Sequence, residues 1–265
     1  MKSNMKKKIA LVAAAALVMT TGCIARGRMN YDNGKLIEQT REMPTYTAIS
    51  TMNGIDIIFS DEVQAGRIIV VAEEAVQGRI TTDVEGGELQ IRLRPALHWP
   101  VYNKMKVIVP NTGNITSLTA SGGSDILAEQ VILRSKELSV ECSGGSDFKG
   151  RITVDRLDVN CSGGADFKGE VTAGTCRMSA SGGSDLKLTG SAKKCDITIS
   201  GGSDLHAERF AVEIYNLVAS GGSDATVFCF GYLTASASGG SDIRYSGDCR
   251  TDISDDISSS VKMKR

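Results

Sequence analysis

Through the second half of the chain, apolar and polar residues alternate in short runs, and the runs themselves recur. Leu138, Val140 and Cys142 alternate with Ser139 and Glu141; Leu157, Val159 and Cys161 alternate with Asp158 and Asn160. Cys195, Ile197 and Ile199 alternate with Asp196 and Thr198 in the same way. A period of two marks a β-strand with one buried face. Each run leads into the pentapeptide Ser-Gly-Gly-Ser-Asp. It begins at Ser121, Ser143, Ser162 (with Ala165 in fourth place), Ser181, Ser200, Ser220 and Ser238, at intervals of 22, 19, 19, 19, 20 and 18 residues. The Gly pair breaks the alternation as a corner with unusual φ would. Beyond the Asp it resumes, with Phe148, Gly150, Ile152 and Val154 set against Lys149, Arg151 and Thr153. Each repeat therefore reads as strand, Gly-Gly corner, strand and second corner, with room for a short third strand.

Short strands of a sandwich would not return the same side-chain type at the same phase seven times. A coil with one repeat per rung does, and equivalent positions then stack roughly 4.8 Å apart. The predicted fold is all-β, a right-handed parallel β-helix (β-solenoid) with about 19 residues per rung, the hand following from the general crossover preference. Upstream, residues 55–59, 67–72, 88–93 and 105–109 read as strands, residues 73–78 as a helical turn, and Glu85-Gly86-Gly87 as a hairpin turn. This stretch lacks the pentapeptide and reads as irregular first rungs covering the open end. Asp252 to Ser260 reads as a degenerate rung, and Lys262, Lys264 and Arg265 add charge that opposes end-to-end stacking. The expected organisation is a leader over residues 1–22, a tether over 23–43, and a solenoid over 44–265. Within the solenoid, 44–110 form the cap, 111–251 the regular repeats and 252–265 the degenerate rung and tail.

Net charge is −1 over 265 residues, which makes no electrostatic case for nucleic acid. The N-terminus carries Lys2, Lys6, Lys7 and Lys8 before an apolar run from Ile9 to Met19, the layout of an export signal too short for a confident membrane span. It ends at Thr20-Thr21-Gly22-Cys23, which resembles a bacterial lipobox, with Thr20 where Leu is usual. The resemblance implies cleavage before Cys23, lipidation of its thiol and a membrane as partner; several acyl chains anchor stably where one does not. The alternative is an ordinary signal peptide with an incidental cysteine. Of the later cysteines, Cys142 and Cys161 stand one period apart at an inward position, as do Cys176 and Cys195. Each pair reads either as buried thiols packing like small hydrophobes or as a bridge between rungs. No Cys-x-x-Cys spacing occurs and His98 and His206 are the only histidines, so no zinc site is expected from them; no cofactor is expected, and no residue is assigned as a metal ligand.

Asp125, Asp147, Asp166, Asp185, Asp204, Asp224 and Asp242 form one column. Three readings stand side by side. Each Asp accepts hydrogen bonds from the backbone of its own corner. The column binds calcium, as shorter Gly-rich repeats do. Or the ridge holds a carbohydrate or other ligand. Lys149, Lys168, Lys187, His206, Thr226 and Arg244 follow their aspartates by two residues and so face the same way, a column that is basic in most rungs and offsets the acidic one.

An enzyme would need a few unlike groups meeting at one place, and these carboxylates are repeated equivalents. His98-Trp99-Pro100 and nearby Tyr102 are the locally unusual spot and read as a packed cap loop. Residues 54–59, 67–74, 87–91 and 106–110, followed by the Ser-Gly-Gly-Ser-Asp rungs, resemble the putative auto-transporter adhesin family with a head GIN domain, mostly lipoproteins of the Bacteroidetes. The resemblance covers about Tyr46 to the C-terminus. It implies a right-handed parallel β-helix and an adhesin-like role, with no catalytic or ligand residues to carry over. The expected function is a lipid-anchored, non-catalytic binding or structural module of the cell envelope, with a glycan or protein ligand and an undetermined oligomeric state. A periplasm-facing scaffold or sensor is the alternative, and a polysaccharide-active β-helix enzyme the third reading. Outer-membrane anchoring is expected through Cys23. Surface lipoproteins of that phylum tend to carry acidic residues after the lipidated Cys, whereas Ile24-Ala25-Arg26-Gly27-Arg28 follow Cys23 here.

Overall fold

The computed structural model describes residues 35–95 and 105–264. The leader, Cys23, His98, Trp99, Tyr102 and Arg265 lie outside the described residues. The protein is a β-solenoid of about 8 turns with about 19 residues per turn. Its strands are β1 (Leu36–Glu42), β2 (Ala48–Met52), β3 (Ile55–Ser60), β4 (Arg67–Glu73), β5 (Ile80–Glu85), β6 (Glu88–Leu93), β7 (Met105–Pro110) and β8 (Ser117–Ser121). Then come β9 (Ile126–Ser143), β10 (Phe148–Ser162), β11 (Phe167–Ser181), β12 (Leu186–Ser200), β13 (Leu205–Ser220), β14 (Asp224–Ser238), β15 (Asp242–Ser246), β16 (Arg250–Asp255) and β17 (Ser260–Met263).

From β9 to β14 each strand pairs in parallel with the next, one pentapeptide period out of phase. Phe148 lies over Phe167, Leu157 over Cys176 and Ser162 over Ser181. Pairing skips Asp155 between Val154 and Arg156, which marks the second corner. Each rung thus has two faces, one before and one after that corner, and no separate third strand. The inward residues are the apolar ones of the alternation and form one continuous core. Its packing is complementary down the column. The Phe148 and Phe167 rings stack with centroids 4.8 Å apart, and Gly150 and Gly169 beside them leave the space the rings fill.

The N-terminal rungs are less regular for a topological reason. β2 and β3 insert into the stack beneath β8 and β9, while β4 and β5 turn back antiparallel against β7 and β6. The β5–β6 turn is Gly86-Gly87, with φ of 59° and 82°, as a two-residue hairpin of matching twist requires. One helical turn, Glu74–Gln77, joins β4 to β5. Residues 36–42, read above as tether, form β1, antiparallel to β4 along its whole length. The edge of β4 needs a partner, and Arg41 pins β1 there by donating to the carbonyls of Ile80 (2.7 Å) and Gln77 (3.2 Å). Sequence reading missed this strand because it lies at the end of the stack, mostly exposed, and carries little alternation. At the other end, β16 and β17 pair in parallel with β14 and β15, so the degenerate rung does continue the coil.

The six cysteines of the described residues are free thiols. Cys142 lies over Cys161 and Cys176 over Cys195, in register. Cys249 hydrogen-bonds to Cys229 as a thiol, a third pair that unequal spacing concealed. Hydrogen bonding to Cys161 and burial push the Cys142 thiol well above its ordinary value, so it packs as a neutral group.

Candidate functional site

Two side-chain columns could serve as a site: the corner aspartates and the outward residues after the second corner. At each Gly-Gly corner both glycines adopt positive φ, 61° and 74° at Gly144 and Gly145, for example. The turn buries the second Ser of the pentapeptide completely, as at Ser124, Ser146, Ser184, Ser203, Ser223 and Ser241. Each buried hydroxyl accepts the backbone N–H of the equivalent residue one rung earlier. Ser124 N–H donates to Ser146 Oγ (3.0 Å), Ser184 N–H to Ser203 Oγ (3.1 Å) and Ser223 N–H to Ser241 Oγ (3.1 Å). The aspartates run the opposite way. Asp147 N–H donates to Asp125 Oδ1 (3.0 Å), Asp166 N–H to Asp147 Oδ1 (3.2 Å) and Asp185 N–H to Asp166 Oδ1 (3.1 Å). Asp224 N–H likewise donates to Asp204 Oδ1.

This corrects one expectation. The carboxylates cap the next rung and not their own corner, because stacking brings the following N–H within reach. The basic column balances them only in part: among the described residues, Lys149 pairs with Asp147 (3.2 Å) and Arg244 with Asp242 (3.6 Å), while Lys168 and Lys187 form no ion pair with their aspartates. Burial raises the carboxyl groups of Asp125 and Asp166 above the ordinary range, and it pushes Asp56 up to about 6. Asp56 belongs to a corner that sequence reading missed. Asn53 and Gly54 have φ of 69° and 72°, and Asp56 accepts the Asp125 N–H (3.1 Å) as the first carboxylate of the column. Its signal was Asn-Gly, a pair suited to left-handed backbone, two residues before an Asp.

The second column forms a groove. A shallow depression of about 500 Å³ crosses β9 to β13, lined by outward residues of the strand halves that follow the second corner. Glu141, Asp158, Asn160, Arg177, Asp196 and Asn216 supply most of its polar groups. Asp158 sits 3.2 Å from Arg156 and 3.8 Å from Arg177, and Asp196 sits 3.4 Å from Lys194. Ser179 donates to Asn160 (2.9 Å) and Asn216 to Asp196. On β13 the lining includes the apolar Val218, and Ile214, Phe230 and Tyr232, on β13 and β14 but outside the lining, are exposed as well. Ile214 and Tyr232 occupy one column, in register. The sequence had shown these polar residues only as the outward half of an alternation. Their joining into one surface follows from the stacking.

The family model for the putative auto-transporter adhesin, head GIN domain, matches residues 45–180 and again 149–249. The chain belongs to this family. No curated protein matches it. Among solved structures, a putative adhesin of Parabacteroides merdae is similar at 21% identity and a TM-score of 0.80, covering 88% of this chain and 98% of that one. A putative adhesin of Parabacteroides distasonis has 22% identity and a TM-score of 0.75 over the same shares. A putative lipid binding protein of the same species has 16% identity and a TM-score of 0.78, again over 88% and 98%. At these identities the likeness fixes the fold of this head GIN domain and leaves its ligand to be argued from its own surface.

Proposed function

We propose that this head GIN domain is a non-catalytic adhesive module of the cell envelope, lipid-anchored to the outer membrane through Cys23, and that it binds its ligand along the groove over β9 to β13. The observation that carries this reading is the groove itself: an open surface crossing five rungs and lined largely by polar side chains, on a protein whose family is adhesin-like. The corner carboxylates support a non-catalytic role, since they form one repeated set and accept backbone N–H bonds. Anchoring rests on the lipobox-like Gly22-Cys23, and no helix of the described residues is long and apolar enough to cross a membrane.

The test compares cells carrying the wild-type chain with cells carrying Cys23→Ala. The proposal expects acyl label on the wild type alone, and adhesion to a coated surface that the variant loses. Equal labelling or equal adhesion overturns it. A periplasm-facing scaffold is the second reading, favoured by the lack of acidic residues after Cys23. Protease treatment of intact cells separates the two: a chain cleaved only after the outer membrane is opened belongs to the second.

A further inference from the structure

The two ends of the solenoid are finished differently. At the N-terminal end β1 covers the edge of β4, Arg41 donates to the carbonyls of Ile80 and Gln77, and Val76 and Ile80 are buried. At the other end no such cover exists among the described residues. There β16 pairs with β14 alone and β17 with β15 alone, so each leaves one edge unpaired. Their inward side chains stand bare. Ala235 and Ile243 are buried in the rung before, whereas Ile253 over Ala235 is 38% exposed and Val261 over Ile243 is only partly buried. Met263, over Tyr245, is 59% exposed, and Ile257 in the turn between the strands is wholly exposed. Unpaired strand edges that carry exposed apolar side chains are a template for pairing with another chain.

Charge decides which chain. Asp252, Asp255 and Asp256 outnumber Arg250 on and beside β16, whereas β17 carries Lys262 and is followed by Lys264, with no acid between Ser260 and Lys264. The last rung therefore has an acidic edge on one face and a basic edge on the other. A second copy presents the same two edges, and a two-fold axis can set them together in two ways. With the axis normal to the sheets, β16 meets β16 and β17 meets β17, like charge against like. With the axis along the strands, β16 of each copy meets β17 of the other, antiparallel, and opposite charges face each other on both sheets. Lys262 and Lys264, read above as opposing end-to-end stacking, oppose only the first way. We propose that two copies of the chain dock through their C-terminal ends in the second way, each β16 pairing antiparallel with β17 of the other copy, so that Ile253, Val261 and Met263 of both enter one continuous core. The N-terminal ends then lie at opposite ends of a double solenoid. One consequence rests on the anchoring proposed above: two chains so anchored meet from opposed membranes, and a second copy becomes a partner in adhesion besides the ligand of the groove.

Sedimentation velocity on the full chain in detergent, over concentrations up to the millimolar range, tests the docking. The contact is one rung across, at the small end for protein interfaces, so a monomer–dimer equilibrium with Kd on the order of 10 μM is expected. Asp252→Lys with Ser254→Lys makes both edges basic, and Lys262→Glu with Lys264→Glu makes both acidic. Each variant alone associates about tenfold more weakly, the scale of reversing several exposed charge pairs. An equimolar mixture of the two recovers dimers with one copy of each, which misfolded chains would not do. A wild type that stays monomeric throughout, variants that associate as it does, or a mixture that stays monomeric each overturns the docking. Cells carrying the chain test the consequence: wild-type cells clump, cells of either variant do not, and the two variant strains clump when mixed. Dimers in solution without clumping leave the docking standing and remove the opposed-membrane arrangement. Adhesion to a coated surface by a chain that never dimerises removes the docking and leaves the adhesive reading.

Discussion

The serine ladder has one gap, and filling it is a sharp test of what holds the corners. The third pentapeptide carries Ala165 where the others carry Ser. Ala165 N–H donates to Ser184 Oγ (3.1 Å), but by the register Ser146 N–H meets a methyl group where its equivalents meet a hydroxyl. Ala165 and Ser146 are both fully buried, so this N–H is shielded from bulk solvent. In Ala165→Ser the new hydroxyl would accept from Ser146 N–H and donate to the Ser162 carbonyl, as Ser223 Oγ donates to the Ser220 carbonyl (2.9 Å). A buried hydrogen bond contributes about 1 kcal/mol net, which raises the melting temperature of a domain this size by about 2–4 °C. The opposite change, Ser203→Ala, strands the Ser184 N–H and costs about 1–3 kcal/mol. Thermal melting by circular dichroism reads both effects, and amide hydrogen exchange at Ser146 reads the first locally, slowing in Ala165→Ser. Unchanged or faster exchange at Ser146, or a Ser203→Ala protein that melts like the wild type, would refute the idea that the hydroxyl column stabilises the stack.

Three further outcomes follow from the core and the aspartate column. Gly169→Ala places a Cβ 2.5 Å from a Phe167 ring carbon; overpacking of this kind costs about 1–3 kcal/mol, and an unshifted urea midpoint would contradict the Phe-Gly complementarity. The Tyr215 hydroxyl is buried without a partner, so Tyr215→Phe should stabilise by about 1–2 kcal/mol, and a lowered urea midpoint would show that the hydroxyl is in fact satisfied. Asp56, pushed up to about 6 chiefly by burial, is held more easily as the neutral acid in the folded state. Its contribution to stability is therefore fully present below the ordinary carboxylate range and lost as pH rises through about 6. Asp56→Asn keeps an oxygen for the Asp125 N–H without the charge, so it should melt higher than the wild type at about pH 7 and alike at about pH 4; equal melting at both values would show that burial imposes no penalty.

The solenoid was legible because its determinants are local and periodic. Alternation marks the buried face, and the Gly pair marks the corner. What stayed hidden depends on stacking. Which N–H the Asp147 carboxylate accepts is set by the offset between rungs, and no residue adjacent in sequence reveals it. Nor could spacing pair Cys229 with Cys249, because they lie 20 residues apart on the rungs where the repeat changes length. β1 escaped because an end strand with an exposed surface needs few apolar residues. The groove escaped for a related reason: its residues are unremarkable singly, and their sum appears only when outward positions from five rungs are laid side by side.

The opposed direction of the two ladders explains why the terminal corners depart from the pentapeptide as they do. A corner serine is needed to accept an N–H from the rung before it, and a corner aspartate to accept one from the rung after. Among the described residues no rung of this kind precedes the first corner, and Ile55 stands in the serine place; its N–H donates to Ser124 Oγ (3.0 Å). Asp56 is kept, because Asp125 N–H must be accepted. At the last corner the requirement inverts. Ser259 is kept and accepts the Gly240 and Ser241 N–H groups, whereas Ser260 replaces the aspartate, and among the described residues no later rung presents an N–H. Asp256 stands where the next corner's carbonyl would be and accepts the Gly239 N–H (2.9 Å), ending the coil. The two corner ladders thus repeat from rung to rung, whereas the side-chain bonds of the outward columns, such as Ser179 to Asn160 and Asn216 to Asp196, differ from one rung to the next. Substitution from rung to rung is free there, from Asn160 to Ser179 to Thr198 to Val218 along one column. A binding surface can diversify in that column without disturbing the coil that presents it.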